Sequence, residues 1–360
     1  MRNIMNWIIK IFRGFTYFII LFASVVAMLE VIFRVLPTSD SLMVKPVNAE
    51  NPILKFTQNR EITKQIGFNF THVNTKRINN YGYATDKKFQ EKSLQTKPVI
   101  SVIGDSYVEA LQVKNKDTFH AILDENFESF DVYPIGVSGS PLSQYLAFAH
   151  YASDIFAPKL FVFLIISNDF DESFESIKKA PGFHYFDDIV GLKLMNYEPT
   201  IIKRLARHSA FLRYLHIDLK LSTQLRRIWG SEITNDVGRI SQRDKFLKIG
   251  RRANEKFLHG ITELSLKTNV IIVLDGDRSA IYSGLNDRDP NKTVNILFDE
   301  LAKSAKTIAN VDVIDLHKTF RNDYAINSER FNSDYDYHWN EHGHAVVGQA
   351  LTDQLRRVDY

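Results

Sequence analysis

A hydroxyl, an imidazole and a carboxylate together make an acyl-transfer nucleophile, and this chain offers all three near the ends of apolar runs. Ser106 follows Gly104 and Asp105 directly behind the stretch "SVI". A serine attacks an acyl carbon when a base takes its proton, a third group orients that base, and donors meet the developing oxyanion. His338, in "DYDYHWNEHGHAVVGQAL", is the candidate base. Asp336, two residues ahead of it, is the candidate orienting acid, with Asp334 as the alternative. Gly139 in "YPIGVSGSPLSQYL" and Asn168 in "FLIISNDFDES" offer a backbone N–H and a side-chain amide for an oxyanion. The N–H of Ser106 itself would join them if a helix begins there.

Each of these residues has an ordinary explanation when taken singly. Gly-Asp-Ser occurs in turns, Gly136 and Gly139 suit turns, and Asn168-Asp169 suits a strand end. His338 alone could be a satisfied loop histidine. The argument lies in their order, since every one falls where an apolar run stops. Other arrangements are weaker. Ser138 is not in a nucleophile elbow, because the G-x-S-x-G spacing fails at Ser140. His338, His342 and His344 raise the question of a metal, but "HWNEHGH" is not H-E-x-x-H, and no cofactor or metal is expected. His344 is expected to pack or cap at the start of the last helix. "DGDRSAIYSGLNDRDPNKT", residues 275–293, lacks the calcium-loop pattern and reads as a loop lining the substrate entrance.

The elements that must position these groups are legible as five short apolar runs: Pro98–Ile103, Asp131–Ile135, Leu160–Ile166, Asn269–Leu274 and Val311–Leu316. Runs apolar throughout suit strands covered on both faces. Helical patterns separate them, for example Lys116–Phe127, Pro141–Ser153 and Asn295–Ala309, with a last helix starting near Glu341. The expectation is a three-layer α/β sandwich with a mainly parallel five-stranded sheet, whose site lies beyond the carboxyl ends of the strands. About a hundred residues separate the third and fourth strands, too many for a simple crossover. Leu205, Phe211, Leu212, Leu215, Leu219 and Leu225 recur there at roughly helical spacing among Lys203, Arg204, Arg207, Arg213, Arg226 and Arg227. This predicts a helical insertion over about 171–260. A solvated helix pair explains the charges; a basic cap over the site, or a face toward anionic lipid or glycan, is the functional alternative.

The N-terminus carries Arg2, Lys10 and Arg13, then an apolar run from Gly14 to Leu29 that Glu30 interrupts and Arg34 closes. A bilayer core of roughly 30 Å needs about 20 apolar residues in helix, which this segment reaches. Basic residues in front place that end in the cytoplasm and the remainder outside. No small-x-small cleavage site follows, which favours an uncleaved anchor over a signal peptide. The expected organisation is an anchor over 1–37, a polar linker or loosely packed lead-in over 38–75, and one domain over 76–360. The 360 residues suffice for a sizeable core, and 44% hydrophobic with 24% charged residues is ordinary for a folded body. A net charge of +3 is too small to argue for nucleic acid. Cysteine is absent, which excludes disulfides and thiolate chemistry.

Gly104-Asp105-Ser106, Gly139, Asn168 and Asp336-x-His338 resemble the four sequence blocks of the SGNH (GDSL-type) hydrolase superfamily, over roughly Asn79–Arg357. "INNYGYATD" ahead of the first run is similar to membrane-anchored bacterial members. The "D-x-H-W-N-x-x-G-H" ending, Asp336 to His344, is similar to members linked to cell-surface polysaccharide acylation. The resemblance implies Ser106 as nucleophile, His338 as base, Asp336 as acid, and an oxyanion hole of Ser106, Gly139 and Asn168. Two departures stand out: many members place the acid three residues before the histidine, which is Tyr335 here, and the third block often begins with glycine, where this chain has Ile166. The implied activity is a serine esterase acting on acyl or acetyl esters, with an acylated extracytoplasmic carbohydrate as partner. An O-acyltransferase with the same triad, or an inactive scaffold that binds glycan or a membrane partner, are the alternatives.

Overall fold

The computed structural model describes residues 2–67, 69–221, 236–335 and 337–358. The chain divides into two compact units: Met1–Ser41, Thr63–Val73 and Thr200–Ser231 form one, and Leu42–Ile62, Asn74–Pro199 and Glu232–Tyr360 the other.

The larger unit is built on five parallel strands, β3 (Val99–Gly104), β4 (Asp131–Gly136), β5 (Leu160–Ile165), β8 (Asn269–Leu274) and β9 (Val311–Asp315). Their spatial order is β4-β3-β5-β8-β9. The register runs Ile100 opposite Val132 and Leu160, Leu160 opposite Asn269, and Val270 opposite Val311. Because side chains alternate across a pleated strand, each strand feeds two cores. Ile103, Phe161, Phe163, Ile272 and Leu274 pack on one face with Phe148, Phe257, Leu297 and Leu301. Those partners lie on α4 (Leu142–Phe156), α7 (Asp236–Ser265) and α9 (Thr293–Ala305). Ile100, Val102, Val162, Leu164, Ile271 and Val273 pack on the other face with Phe119, Leu123, Phe320, Val347 and Leu351. These belong to α3 (Phe119–Asn126), α10 (Leu316–Asn327) and α11 (Glu341–Val358). That is the three-layer α/β sandwich with a five-stranded parallel sheet. Burial on both faces is the reason the strands read as unbroken apolar runs. The order is 2-1-3-4-5 in chain sequence, so the direction of winding reverses between β3 and β5, which opens a crevice at their carboxyl ends.

Two expectations need correction. The insertion is not wholly helical. It starts with a hairpin, β6 (His184–Asp187) against β7 (Gly191–Leu194), because Asp187 accepts the Ile189 and Val190 N–H groups and Gly191 takes φ +74°. Its helices follow as α5 (Ile201–Ala206), α6 (Ala210–Arg213) and α7. Leu225, Arg226 and Arg227 lie outside the described residues. The lead-in over 38–75 is structured as well. Val47, Ile53, Leu54 and Phe56 are buried in the larger unit. The strands β1 (Arg60–Ile66) and β2 (His72–Ile78) pair as a two-stranded sheet.

In the smaller unit α1 (Arg2–Val35) is a single apolar helix, long enough to cross a membrane. The interruption at Glu30 has a local cause: its carboxylate accepts the Ser209 hydroxyl at 2.6 Å and the Ala210 and Phe211 N–H groups at 3.0 and 3.1 Å. These are orphan donors at the start of α6, so Glu30 caps that helix from outside.

Candidate active site

β3 ends at Gly104 because the chain must fold back at once over the sheet edge. A Cβ at Gly104 would lie 2.5 Å from Val108 Cγ2, and one at Gly136 on β4 would lie 2.6 Å from Val108 Cβ and 2.8 Å from the Glu109 nitrogen. Both glycines therefore make room for α2 (Ser106–Glu109), a single turn that ends in the left-handed residue Ala110. Asp105 caps it, accepting the Tyr107 N–H at 3.0 Å and the Ser106 hydroxyl at 3.0 Å. Burial raises the Asp105 carboxyl; the Tyr107 N–H, Ser106 and the nearby His338 pull the other way. Ser106 is half-buried at the head of α2, beyond the carboxyl end of β3.

His338 comes to the same place from the far end of the chain. Ser106, Asn168 and His338 line one cavity of about 930 Å³ together with Tyr107, Asp275, Arg278, Arg288 and Tyr337. The Tyr107 hydroxyl donates to the Tyr337 carbonyl at 2.7 Å, and its ring centroid lies 5.0 Å from that of His338. Arg278, on α8 (Arg278–Tyr282), donates to the Tyr337 carbonyl at 2.5 Å, the Tyr107 hydroxyl at 2.7 Å and Asp275 at 3.1 Å. Asp275 also accepts the Trp339 indole N–H at 3.2 Å. Both neighbours of His338 are thus tied to the residue after Ser106 through one buried guanidinium. Burial disfavours that cation, but Asp275 and Tyr107 outweigh it and hold the guanidinium above its usual range. In this structure the Ser106 hydroxyl donates to Asp105 rather than to His338. Asp336 lies outside the described residues, and Asp334 is exposed.

Asn168 follows β5 and donates to Glu172 at 3.4 Å. Lys178 donates to the same Glu172 oxygen at 2.5 Å and to the Gly139 carbonyl at 2.5 Å. Asn168 and Gly139 are therefore the two ends of one hydrogen-bonded bridge. Gly139 takes φ +77°, a left-handed conformation that favours glycine. It is not among the residues that line the cavity. Beside it, the Ser138 N–H and hydroxyl both bond to Glu109 at the end of α2. Behind Asn168, Asp169 is wholly buried, accepting the Ile166 N–H at 2.8 Å and the Tyr145 hydroxyl at 2.9 Å; burial, then Asp105, hold its carboxyl well above the usual range.

The other histidines of the last block serve structure. His342 pairs with Asp323 at 2.7 Å. His344 is buried, stacked on Phe119 at 5.9 Å, and burial holds it well below its ordinary value, so it packs as the neutral ring. Among the described residues no cluster of three or more histidines and acids could hold a metal ion. The segment 275–293 lines the cavity, but it opens with the short helix α8 instead of running as a loop throughout.

Sequence reasoning missed Arg278, Tyr107, Lys178, Glu172 and Glu109. Only Arg278 and Tyr107 left a trace, as a cation in an acid-rich stretch and an aromatic next to the serine. It also missed Lys76, a lysine with no exposed surface and, among the described residues, no hydrogen-bond partner for its Nζ. Burial lowers its pKa to about 7 against the pull of Asp86, Glu109 and Asp117.

No family model matches the chain, and no curated protein matches it. Several solved structures are similar. One is a lipolytic protein of the G-D-S-L family from Veillonella parvula, at 15% identity over 73% of this chain and 100% of that one, with a TM-score of 0.40. Another is a two-domain esterase active on acetylated mannans, at 13% identity over 73% of this chain and 50% of that one, with a TM-score of 0.39. A lipolytic G-D-S-L protein from Desulfitobacterium hafniense shares 12% identity over 71% of this chain and 99% of that one, with a TM-score of 0.38.

Proposed function

We propose that this chain is a serine esterase of the SGNH type, held at a membrane by α1, with its larger unit outside the cytoplasm. The observation that carries the reading is that Ser106, Asn168 and His338, separated by up to two hundred residues or more in sequence, line one cavity beyond the carboxyl ends of β3 and β5. A half-buried hydroxyl at a helix N-terminus that shares a cavity with an imidazole supports acyl transfer, which requires the two to meet.

The steps follow from the chemistry of the groups. The Ser106 hydroxyl leaves Asp105 and gives its proton to His338 while its oxygen bonds to the acyl carbon. The C=O electron pair moves onto oxygen, where the N–H of Ser106 and the Asn168 amide, both at the cavity, meet it, with the Gly139 N–H added on the resemblance alone because Gly139 does not line the cavity. The tetrahedral species collapses, the alcohol departs with the proton from His338, and an acyl-serine remains. An acceptor hydroxyl then reverses the sequence, with His338 again the base. Asp336 is assigned the role of holding the imidazolium. Water as acceptor gives hydrolysis; a sugar hydroxyl gives acyl transfer. The substrate class proposed is an acylated carbohydrate, on the resemblance of the last block to polysaccharide-acylation proteins. The basic residues Arg2, Lys10 and Arg13 ahead of the apolar run support a cytoplasmic N-terminus.

The test is labelling with a fluorophosphonate serine probe beside turnover of a small chromogenic acetate ester. Ser106→Ala is expected to abolish both while the protein stays folded. Labelling or turnover that persists in that variant removes the mechanism, and a folded wild type that takes no label favours a scaffold. Mass spectrometry of a glycan mixed with an acyl donor separates the acceptors: mass gain is transfer, mass loss is hydrolysis.

A further inference from the structure

Among the described residues, none of the basic, leucine-rich stretch that follows the hairpin, α5 and α6, lines the Ser106 cavity, yet its structure is specific. At about 100° per residue, Ile201, Ile202 and Leu205 of α5 fall on one arc of the helix, and Lys203 and Arg204 on the other side. The three apolar side chains are 71%, 78% and 69% exposed. Thr200 caps α5, accepting the Lys203 N–H at 3.2 Å, so the helix holds its shape with its apolar side chains mostly exposed. A short helix with an apolar face in solvent and cations behind it matches the pattern of an interfacial membrane helix.

The position of α5 along α1 says where such a helix would meet lipid. Counted from Gly14, directly after Arg13, a span of about 20 residues ends near Phe33, just before Arg34. Glu30 lies in the last turn of that span. Its carboxylate is satisfied there by Arg34 at 2.7 Å and by the Ser209 hydroxyl with the two N–H groups at the start of α6. Phe33 stacks on Phe211 at 5.6 Å and on Tyr214 at 4.4 Å. With α1 as a span, the start of α6 lies at the hydrocarbon edge, and only three residues separate the end of α5 at Ala206 from Ala210. With one end held there, α5 stays within reach of the interface.

We propose that α5 lies in the membrane interface beside α1, with Ile201, Ile202 and Leu205 in the acyl boundary and Lys203, Arg204 and Arg207 toward anionic headgroups. The inference rests on the reading of α1 as a span. It gives the insertion a role that explains both its apolar and its basic residues: it braces the stalk of the enzyme against the bilayer.

The chain has no cysteine, so single cysteines report without background. Full-length Ile202→Cys, Lys203→Cys, Leu205→Cys and Phe22→Cys are each labelled with an environment-sensitive fluorophore. They are then reconstituted in vesicles of phosphatidylcholine and phosphatidylglycerol. Labels at 202 and 205 should be quenched by lipids carrying a nitroxide on a shallow acyl carbon, and be several-fold less accessible to aqueous iodide than the label at 203. Equal iodide access at 202, 203 and 205, with the label at 22 still quenched by lipid, keeps the span and overturns the interfacial helix. A label at 22 that iodide reaches overturns both. Two positions on the apolar face keep the test alive if one variant does not fold.

Discussion

Replacing Arg278 with methionine removes the guanidinium that ties both neighbours of His338 to Tyr107, leaving the direct Tyr107–Tyr337 hydrogen bond at 2.7 Å. The variant loses the bonds to the Tyr337 carbonyl and the Tyr107 hydroxyl and the ion pair with Asp275. Side-chain exposures of 9% and 11% for the pair mean that water does not take over these partners. Breaking a buried pair by removing one member costs about 3–5 kcal/mol. Asp275 keeps the Trp339 indole and the Gly276 N–H, at 3.2 and 2.8 Å, which places the cost toward the lower end of that range. The kinetic effect comes from geometry. A loop that drifts by about 1 Å costs roughly a hundredfold in rate, so kcat on an acetate ester should fall by about that factor with KM little changed. Arg278→Lys keeps the charge but lacks the planar fork that reaches three partners, so it should recover stability more than rate. The assays are thermal unfolding and steady-state kinetics at a temperature where both variants are folded. A folded Arg278→Met protein with kcat within twofold of wild type would refute the claim that this guanidinium positions the base.

Further outcomes can be checked independently. Asn168→Ala should lower kcat about 10²–10³-fold if its amide meets the oxyanion, and should leave the unfolding temperature nearly unchanged; an unaltered kcat removes Asn168 from the hole. Lys76→Met should stabilise the protein, because the folded state binds the proton less tightly than the unfolded chain. Lowering the Lys76 pKa from 10.5 to about 7 corresponds to a penalty of ~5 kcal/mol. That penalty is complete below about pH 7 and disappears as pH rises toward the unfolded value. The variant's advantage in thermal unfolding should accordingly be largest at and below about pH 7 and shrink steadily as pH rises from there toward 10.5; a constant or reversed difference refutes the buried-cation account.

Much of the sheet could be read from residue types, since strands covered on both faces must be apolar throughout. The ends moved by only a residue: the run Pro98–Ile103 folds as Val99–Gly104, and Asn269–Leu274 is unchanged. The insertion was less legible. Its hairpin is short and rests on the Asp187 turn, whereas leucines at helical spacing dominated the pattern. The stretch 38–75 looked like a linker because its buried residues, Val47 and Ile53 to Phe56, are too few and too irregular to show a period.

The sequence alone determined which groups are available for chemistry: a serine after a strand, a histidine near a final helix, and amide donors at two other strand ends. Motif and spacing are local properties, and the unbroken apolar runs between them already imply parallel strands whose ends gather in one place. Only the tertiary structure decided how those ends are held together. The Arg278–Tyr107–Tyr337 tie, the Lys178–Glu172 bridge and the Glu30 cap each join residues that are distant in the chain or ordinary in type. A lone arginine or glutamate carries no sign of its partner in the sequence, because the partner is chosen by packing and by the need to satisfy a charge once water is excluded.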